Sequence, residues 1–170
     1  MRVLGIDPGF VTTGYGVVER VSGTLRAVTF GAVRTPAGIP QADRLAYLRR
    51  ALCDVIEATR PDVVAVERLF FNANVRTAMS VGQASGVALV TAAEAGLAVA
   101  DYTPPEVKRS VVGVGNAAKQ QVQAMVAALL KLPTIPQPAD AADACALAIC
   151  HLHRTGLSRA IASAERKAAG

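Results

Sequence analysis

The spacing of apolar positions changes several times along the chain, and each change marks an element. Val3-Leu4-Gly5-Ile6 and Val63-Val64-Ala65-Val66 are continuous runs of small or apolar residues, each ended by an acid, Asp7 and Glu67. Such runs read as strands covered on both faces, as in a mostly parallel sheet. Thr13 to Glu19 and Leu25 to Val33 read as two further strands joined by a short turn at Ser22-Gly23. The spacing then becomes helical. Leu45, Leu48, Leu52, Val55 and Ile56 share one face of a helix over 43–59, and Pro61 follows its end. A long helix is expected over about 74–95, a fifth strand over 97–102, and a short helix from Pro104-Pro105 to near Gly113. Asn116 is placed to cap a helix whose core face is Val122, Met125, Val126, Leu129 and Leu130. Pro133, Pro136 and Pro138 stiffen the connection to a last, Ala-rich helix opened by Asp140.

The order βββαβαβ followed by helices predicts an α/β fold, a mixed five-stranded sheet with helices on both faces. The first and fourth strands should lie side by side and parallel, which sets Asp7 beside Glu67. Residues 1–155 are expected to form one domain, and 156–170, which are polar, basic and Ala-rich, a frayed, flexible tail. No internal repeat is evident.

Composition narrows the class. At 52% hydrophobic and 4% aromatic residues, the core must be built from Val, Leu, Ile and Ala. Thr91 and Glu94 interrupt the longest apolar stretch, Val87 to Ala100, which is too short to span a bilayer. The first strand begins at Arg2, leaving no room for a signal peptide. Cys53, Cys145 and Cys150 are odd in number and sit in helical apolar patterns, so they read as reduced core thiols of a cytoplasmic protein. His151 and His153 lie near two of them, but without paired Cys-x-x-Cys spacing a zinc site is not the favoured reading.

Charge brings in the chemistry. Asp7 and Glu67 fall at the C-terminal edge of the sheet, where open α/β sheets bind ligands. Asp140 and Asp143 share a helix face at i, i+3. Setting these four aside leaves nine acids against 18 basic residues in a chain of net charge +5. A basic body around a concentrated acidic site suits a polyanionic substrate. Converging carboxylates repel unless a cation joins them, and hard oxygen donors suit Mg²⁺ or Mn²⁺. The pattern reads as a metal-dependent phosphodiester-cleaving enzyme. Structural alternatives stand beside it. Asp7-Pro8-Gly9 is a turn sequence, and Asp140 with Asp143 fits an N-cap with an acidic N3 residue. Neither a turn nor a cap accounts for Glu67.

Phe70 and Phe71 follow Glu67 by three and four positions, in a chain with only four Phe and three Tyr. They read as a wedge or stacking platform for an unpaired base, or as a hydrophobic staple on the next helix. Arg76, Lys108, Arg109 and Lys119 are candidate phosphate contacts, with a solvated charge the default for Arg109. Lys119 falls in the first turn of its helix, where a cation opposes the helix dipole, and so points to an anionic partner. Ala78, Gly82 and Gly86 recur every four residues in the long helix. Each interior Gly costs roughly 1 kcal/mol relative to Ala, so another backbone should pack there, from the sheet or from a second subunit.

These residues also carry a family resemblance. Gly5-Ile6-Asp7-Pro8-Gly9 and Thr13-Gly14-Tyr15-Gly16-Val17 resemble the start of the RuvC family of bacterial Holliday-junction resolvases. Glu67-Arg68-Leu69-Phe70, Gly82-Gln83-Ala84, Val107-Lys108 with Gly113-Val114-Gly115, Lys119 with Gln121-Val122, and Asp140-Ala141-Ala142-Asp143-Ala144 extend the match to about His151. Ser85 departs from it, since Arg is expected there in many relatives, and a contact near that helix is left open. The resemblance implies a ribonuclease-H-like fold and a homodimer that nicks two opposing strands of a four-way DNA junction symmetrically, leaving ends a ligase can seal. It implies two Mg²⁺ ions per site, with Mn²⁺ able to substitute. Asp7 would bridge them, Glu67 would hold one, and Asp140 with Asp143 the other. It places the functional aromatic at Phe70, with Phe71 fitting either role. It also implies the RuvA and RuvB branch-migration complex as partners. Three rivals remain. The Asp-Pro-Gly start is shared with actin-like ATPases and sugar kinases, which need two such lobes. The RuvC-like YqgF group, acting on RNA, is the second, and a non-catalytic junction-binding module the third.

Overall fold

The computed structural model describes residues 1–68 and 75–168. Ten elements follow in order: β1 (Arg2–Asp7), β2 (Thr12–Val21), β3 (Thr24–Arg34), α1 (Gln41–Thr59), β4 (Val63–Glu67), α2 (Val75–Glu94), β5 (Ala98–Tyr102), α3 (Pro104–Val112), α4 (Lys119–Leu129) and α5 (Ala139–Ala168). The strands form one sheet in the order β3-β2-β1-β4-β5. β1 is antiparallel to β2 and parallel to β4, and β4 is parallel to β5. The predicted mixed sheet, with the two acid-ended strands as neighbours, is therefore the observed one. Ser22 and Gly23 both take positive φ, 49° and 82°, as a two-residue hairpin turn between right-twisted strands requires.

The sheet's two faces bury separate cores. Leu4, Ile6, Val17, Val64 and Val66 point toward α1 and α2, meeting Leu48, Leu52, Ala84 and Ala88. Val3, Val18, Val63 and Ala65 point the other way, toward α3, α4 and α5. Period-2 alternation within continuous apolar runs is what double-sided burial demands. Each fully buried Leu or Ile contributes about 1.5–3 kcal/mol.

α5 is the central helix. From Ala141 to Leu152 all but Asp143 are buried, as expected of a helix that is apolar nearly all round. It touches four strands as well as α3 and α4. A helix so enclosed must be thin where it meets the sheet. An ideal Cβ on Gly5 would lie 1.9 Å from the Ala144 carbonyl oxygen, and one on Gly16 would lie 2.6 Å from Cys145 Sγ. Gly5 and Gly16 are directly opposite in the β1–β2 ladder, so together they form a flat seat for α5.

Two local expectations are corrected. Asn116 does not cap α4. The helix starts at Lys119 behind Ala118, whose backbone N–H is taken by the Gln121 side chain at 2.9 Å. That reach-back satisfies one donor at the helix start without any side chain at the cap. Second, the backbone beyond Gly156, expected to fray, continues α5 as helix to Ala168. High Ala content and one interior Gly, costing about 1 kcal/mol, are compatible with that extension.

Candidate active site

Asp7 and Glu67 are the last residues of adjacent parallel strands, one step beyond the Ile6–Val66 pair. By the alternation of each strand, both belong to the face covered by α5. Gly14 pairs with Asp7 across the β1–β2 ladder, and α5 begins directly over it. An ideal Cβ on Gly14 would lie 2.0 Å from the Asp140 carbonyl oxygen and 2.9 Å from Asp140 Cβ. The missing side chain at Gly14 is what lets Asp140 approach Asp7. Thr13, fully buried, holds the intervening turn. Its hydroxyl donates to the Gly9 carbonyl at 2.7 Å and accepts from the Gly9 N–H at 3.3 Å.

Asp143 lies one turn further along α5 and is held by α4. Lys119 Nζ is 2.6 Å from its Oδ2, and Gln123 Nε2 donates to its Oδ1 at 3.4 Å. Lys119 and Gln123 stand at i, i+4 and so share a helix face. The first-turn lysine, a candidate phosphate contact, is thus paired with an acid of the site. α5 starts at Ala139, so Asp140 lies inside the helix and Asp143 nearly a turn further on. The alternative of Asp140 as N-cap with Asp143 at N3 therefore does not describe this helix.

Asp7, Glu67, Asp143, Lys108 and Lys119 surround a cleft of about 390 Å³ whose floor is apolar, from Val107, Val122 and Leu147. Asp140 stands behind Asp7, within its electrostatic reach. Burial first, then the charges of Glu67, Asp143 and Asp140, push the Asp7 carboxyl up to about 8. Burial also raises Glu67, against the hydrogen bond it accepts from Asp7. The two carboxyls share a proton where no cation is present. The Lys119 ammonium is held charged above its usual range, chiefly by Asp143.

Among the described residues, no three His, Cys, Asp or Glu form a ready-made metal cage. Mg²⁺ does not need one, because it keeps waters and takes substrate phosphate oxygens beside one or two carboxylates. An all-oxygen donor set of crowded carboxyls, one of them raised by burial and its neighbours, fits such an ion. Metal binding here should therefore release a proton.

The other predicted residues scatter. Lys108 lines the cleft, whereas Arg109, its neighbour in α3, faces a separate groove with Glu106, Ser110, His153 and Arg154. Phe70 and Phe71 lie outside the described residues, as does the side chain of Arg76. His151 and His153 are engaged by the protein: His151 Nδ1 is 2.7 Å from the Tyr102 hydroxyl, and His153 Nδ1 is 3.0 Å from the Ser110 carbonyl oxygen. Gln123 is a site residue that sequence reasoning misses. Its spacing from Lys119 is the one signal that could have found it.

Asp140→Asn and Asp143→Asn are each expected to keep thermal stability close to wild type without metal. Both should bind Mn²⁺ more weakly and cut slowly. Isothermal titration and a nicking assay check this, and normal values for Asp143→Asn would reduce the site to three acids.

Sheet order, central buried helix and acidic C-terminal edge define a ribonuclease-H-like domain. Residues 3–151 match the family model "Crossover junction endodeoxyribonuclease RuvC", and the chain belongs to that family. It is 56% identical over 153 residues to the RuvC of Chloroflexus aggregans, covering 90% of this chain and 93% of that one. It is 49% identical over 168 residues to the protein of that name from Syntrophomonas wolfei, covering 99% and 98%. The Thermus thermophilus RuvC structure superposes with a TM-score of 0.85 at 37% identity, covering 93% of this chain and 97% of that chain. The same protein in complex with Holliday junction substrate gives 0.84 at 35% identity, covering 92% and 96%. Yeast mitochondrial Ydc2, at 0.60 and 16% identity, shares the fold.

Proposed function

We propose that this chain resolves four-way DNA junctions in recombination and repair by paired, symmetric, metal-dependent hydrolysis of phosphodiester bonds. The observation that carries the reading is the convergence of Asp7, Glu67, Asp140 and Asp143 at one sheet edge, where burial first and the neighbouring acids second raise the Asp7 carboxyl. A fold has no use for that crowding without a cation. Asp7, Glu67, Asp140 and Asp143 would hold Mg²⁺, two ions per site, with Mn²⁺ substituting. When bound, such ions activate a water and neutralise the departing 3′-oxygen. Lys119 and Gln123 hold the Asp143 carboxylate in place beforehand, so less reorganisation remains for the reaction. Lys108 lines the cleft and offers its ammonium to the scissile phosphate. Phe70 serves as the wedge that keeps the junction centre unpaired, with Phe71 fitting either that role or a staple on the next helix.

Paired cuts need two sites, and α2 offers a surface for the second subunit. An ideal Cβ on Gly82 or Gly86 meets nothing within 4 Å. The sheet therefore does not supply the close packing expected at these glycines. Met79, Leu89 and Val90 on the same helix are exposed at 62%, 43% and 53%. A second copy of α2 would cover them. Gly82→Leu is expected to give a folded monomer that loses paired nicking. Sedimentation and a cleavage assay check this, and an unchanged oligomeric state would place the interface elsewhere.

RuvA and RuvB are the proposed branch-migration partners and the cytoplasm the proposed location. Among the described residues no helix is long and apolar enough to cross a membrane. Nicking of a four-way junction, a duplex and a structured RNA, each with and without Mg²⁺, tests the proposal. Metal-dependent paired cuts confined to the junction are expected. RNA cleavage would favour the YqgF-type reading, and binding without cutting the non-catalytic one.

A further inference from the structure

α3 is a ridge between two depressions. Val107 and Val111 anchor it in the core. Lys108 faces the acidic cleft, while Arg109 and Ser110 face the second groove, about 440 Å³ in volume, with Glu106, His153 and Arg154. That groove plays no part in the chemistry described above, and its polar groups are held in set positions.

Among the described residues Glu106 is its single acid, and the fold already uses it. Its carboxylate accepts from the Thr103 N–H and hydroxyl, each at 2.9 Å, capping α3, and from Arg154 Nη1 at 2.8 Å. Those bonds, the Thr103 backbone N–H first, pull its carboxyl down to about 2. An exposed ion pair contributes little stability, so what the Arg154 pairing mainly supplies is orientation. Arg154 also lies 5.4 Å from the centre of the Tyr102 ring, a second restraint on the same guanidinium. His153 is fixed by Nδ1–H donation to the Ser110 carbonyl at 3.0 Å, leaving Nε2 as the ring's remaining polar atom. Arg109 is exposed, and its Nη2 lies 3.4 Å from where a Cβ on Gly115 would stand, so the bare Gly115 backbone leaves it room. The groove thus presents two guanidiniums, an imidazole and a hydroxyl, arranged before any ligand arrives. This is the chemistry that takes phosphodiester oxygens.

We infer that the Arg109–Ser110–His153–Arg154 groove binds the backbone of the strand being cut, a few nucleotides from the scissile phosphate. The inference rests on the nuclease reading of the acidic cleft. A helix with its side chains is about 10–12 Å across and one strand rises about 3.4 Å per nucleotide along the duplex axis, a lower bound on its phosphate spacing, so a strand crossing α3 reaches this groove within a few nucleotides. The phosphate there sets the register of the cut strand over the carboxylates and carries no base information.

The test uses full-length protein and a four-way junction in which single phosphates, two to five nucleotides from the cut on the cut strand, are replaced by neutral methylphosphonates. Binding is followed by fluorescence anisotropy at fixed salt without divalent metal. Wild type is expected to lose roughly tenfold in affinity at one or two of those positions and little at the others. Arg109→Ala and His153→Ala should lose roughly tenfold on the unmodified junction and nothing more on the junction neutralised at that position. Arg109→Lys should recover part of the loss, and Arg50→Ala, at an exposed position of α1, should match wild type. The inference is overturned if the Ala variants bind the unmodified junction as wild type does. It also fails if they lose as much again at the neutral position. Mg²⁺-dependent nicking by wild type, measured in parallel, reports separately on the nuclease reading.

Discussion

Asp7→Asn is expected to abolish junction nicking, to leave junction binding within a few-fold of wild type, and to raise the metal-free melting temperature. The first two outcomes separate hydrolysis, which needs the anion beside Glu67, from binding, which rests on basic groups. The third follows from the proton that Asp7 shares with Glu67. A carboxyl raised to about 8 binds its proton more tightly in the folded chain than in the unfolded one, where the ordinary value is 3.8. The stability it contributes is complete below that ordinary value and is lost as pH rises through about 8. At neutral pH most of that loss has occurred, on the order of a few kcal/mol at about 1.4 kcal/mol per pH unit. Asn removes the charge and keeps the shape, so the mutant should melt several degrees higher, at about 2–4 °C per kcal/mol for a chain of this size. Its stability should also vary less between pH 4 and 8 than wild type's. Mg²⁺-dependent cutting by the mutant would remove Asp7 from the mechanism. Matching melting curves across that pH range would mean the carboxylates are not crowded in solution.

The pairing of Asp7 with Glu67 is legible in the sequence. Each acid ends an apolar run that is long enough for a covered strand and too short for a buried helix. Parallel pairing of the two runs follows from the element order, and it alone brings Asp7 to Glu67. Long-range partners are a different matter, because no local pattern encodes them. Lys119 is an anomaly, a cation in a first helical turn, and the anion that the protein itself sets beside it, Asp143, comes from another helix. Tyr102 and His151 are 49 residues apart in sequence, and nothing near either residue announces their hydrogen bond. The glycines after Asp7 suggest room for a tight turn. Gly9 does sit in that turn, but Gly14 and Gly16 serve α5, an element more than a hundred residues away. Asn116 misleads because its residue type favours caps, whereas Gln121 supplies the bond from inside the helix.

Gly14→Ala should damage the fold and the acidic site together, because the added carbon meets the first turn of α5 at Asp140. The added Cβ would stand 2.0 Å from the Asp140 carbonyl oxygen, and backbone cannot swing aside as a side-chain tip can. To reach ordinary contact the first turn of α5 must retreat by more than about 1 Å, on the scale at which overpacking costs about 1–3 kcal/mol or more. The same retreat draws Asp140 away from Asp7, and a misplacement of about 1 Å at a reacting centre can cost on the order of 10²-fold in rate. The mutant is therefore expected to cut at least about a hundredfold more slowly at a temperature where circular dichroism shows it folded, and to bind Mn²⁺ more weakly. Its melting temperature should fall by several degrees. Gly82→Ala supplies the contrast within one protomer, since its Cβ meets nothing there within 4 Å and helix propensity favours it by roughly 1 kcal/mol. Diluted to monomer, it should melt no lower than wild-type monomer, whatever it does to the proposed dimer. If Gly14→Ala instead cuts within tenfold of wild type and melts with it, α5 is not seated on that glycine, and the placement of Asp140 over the sheet edge is wrong.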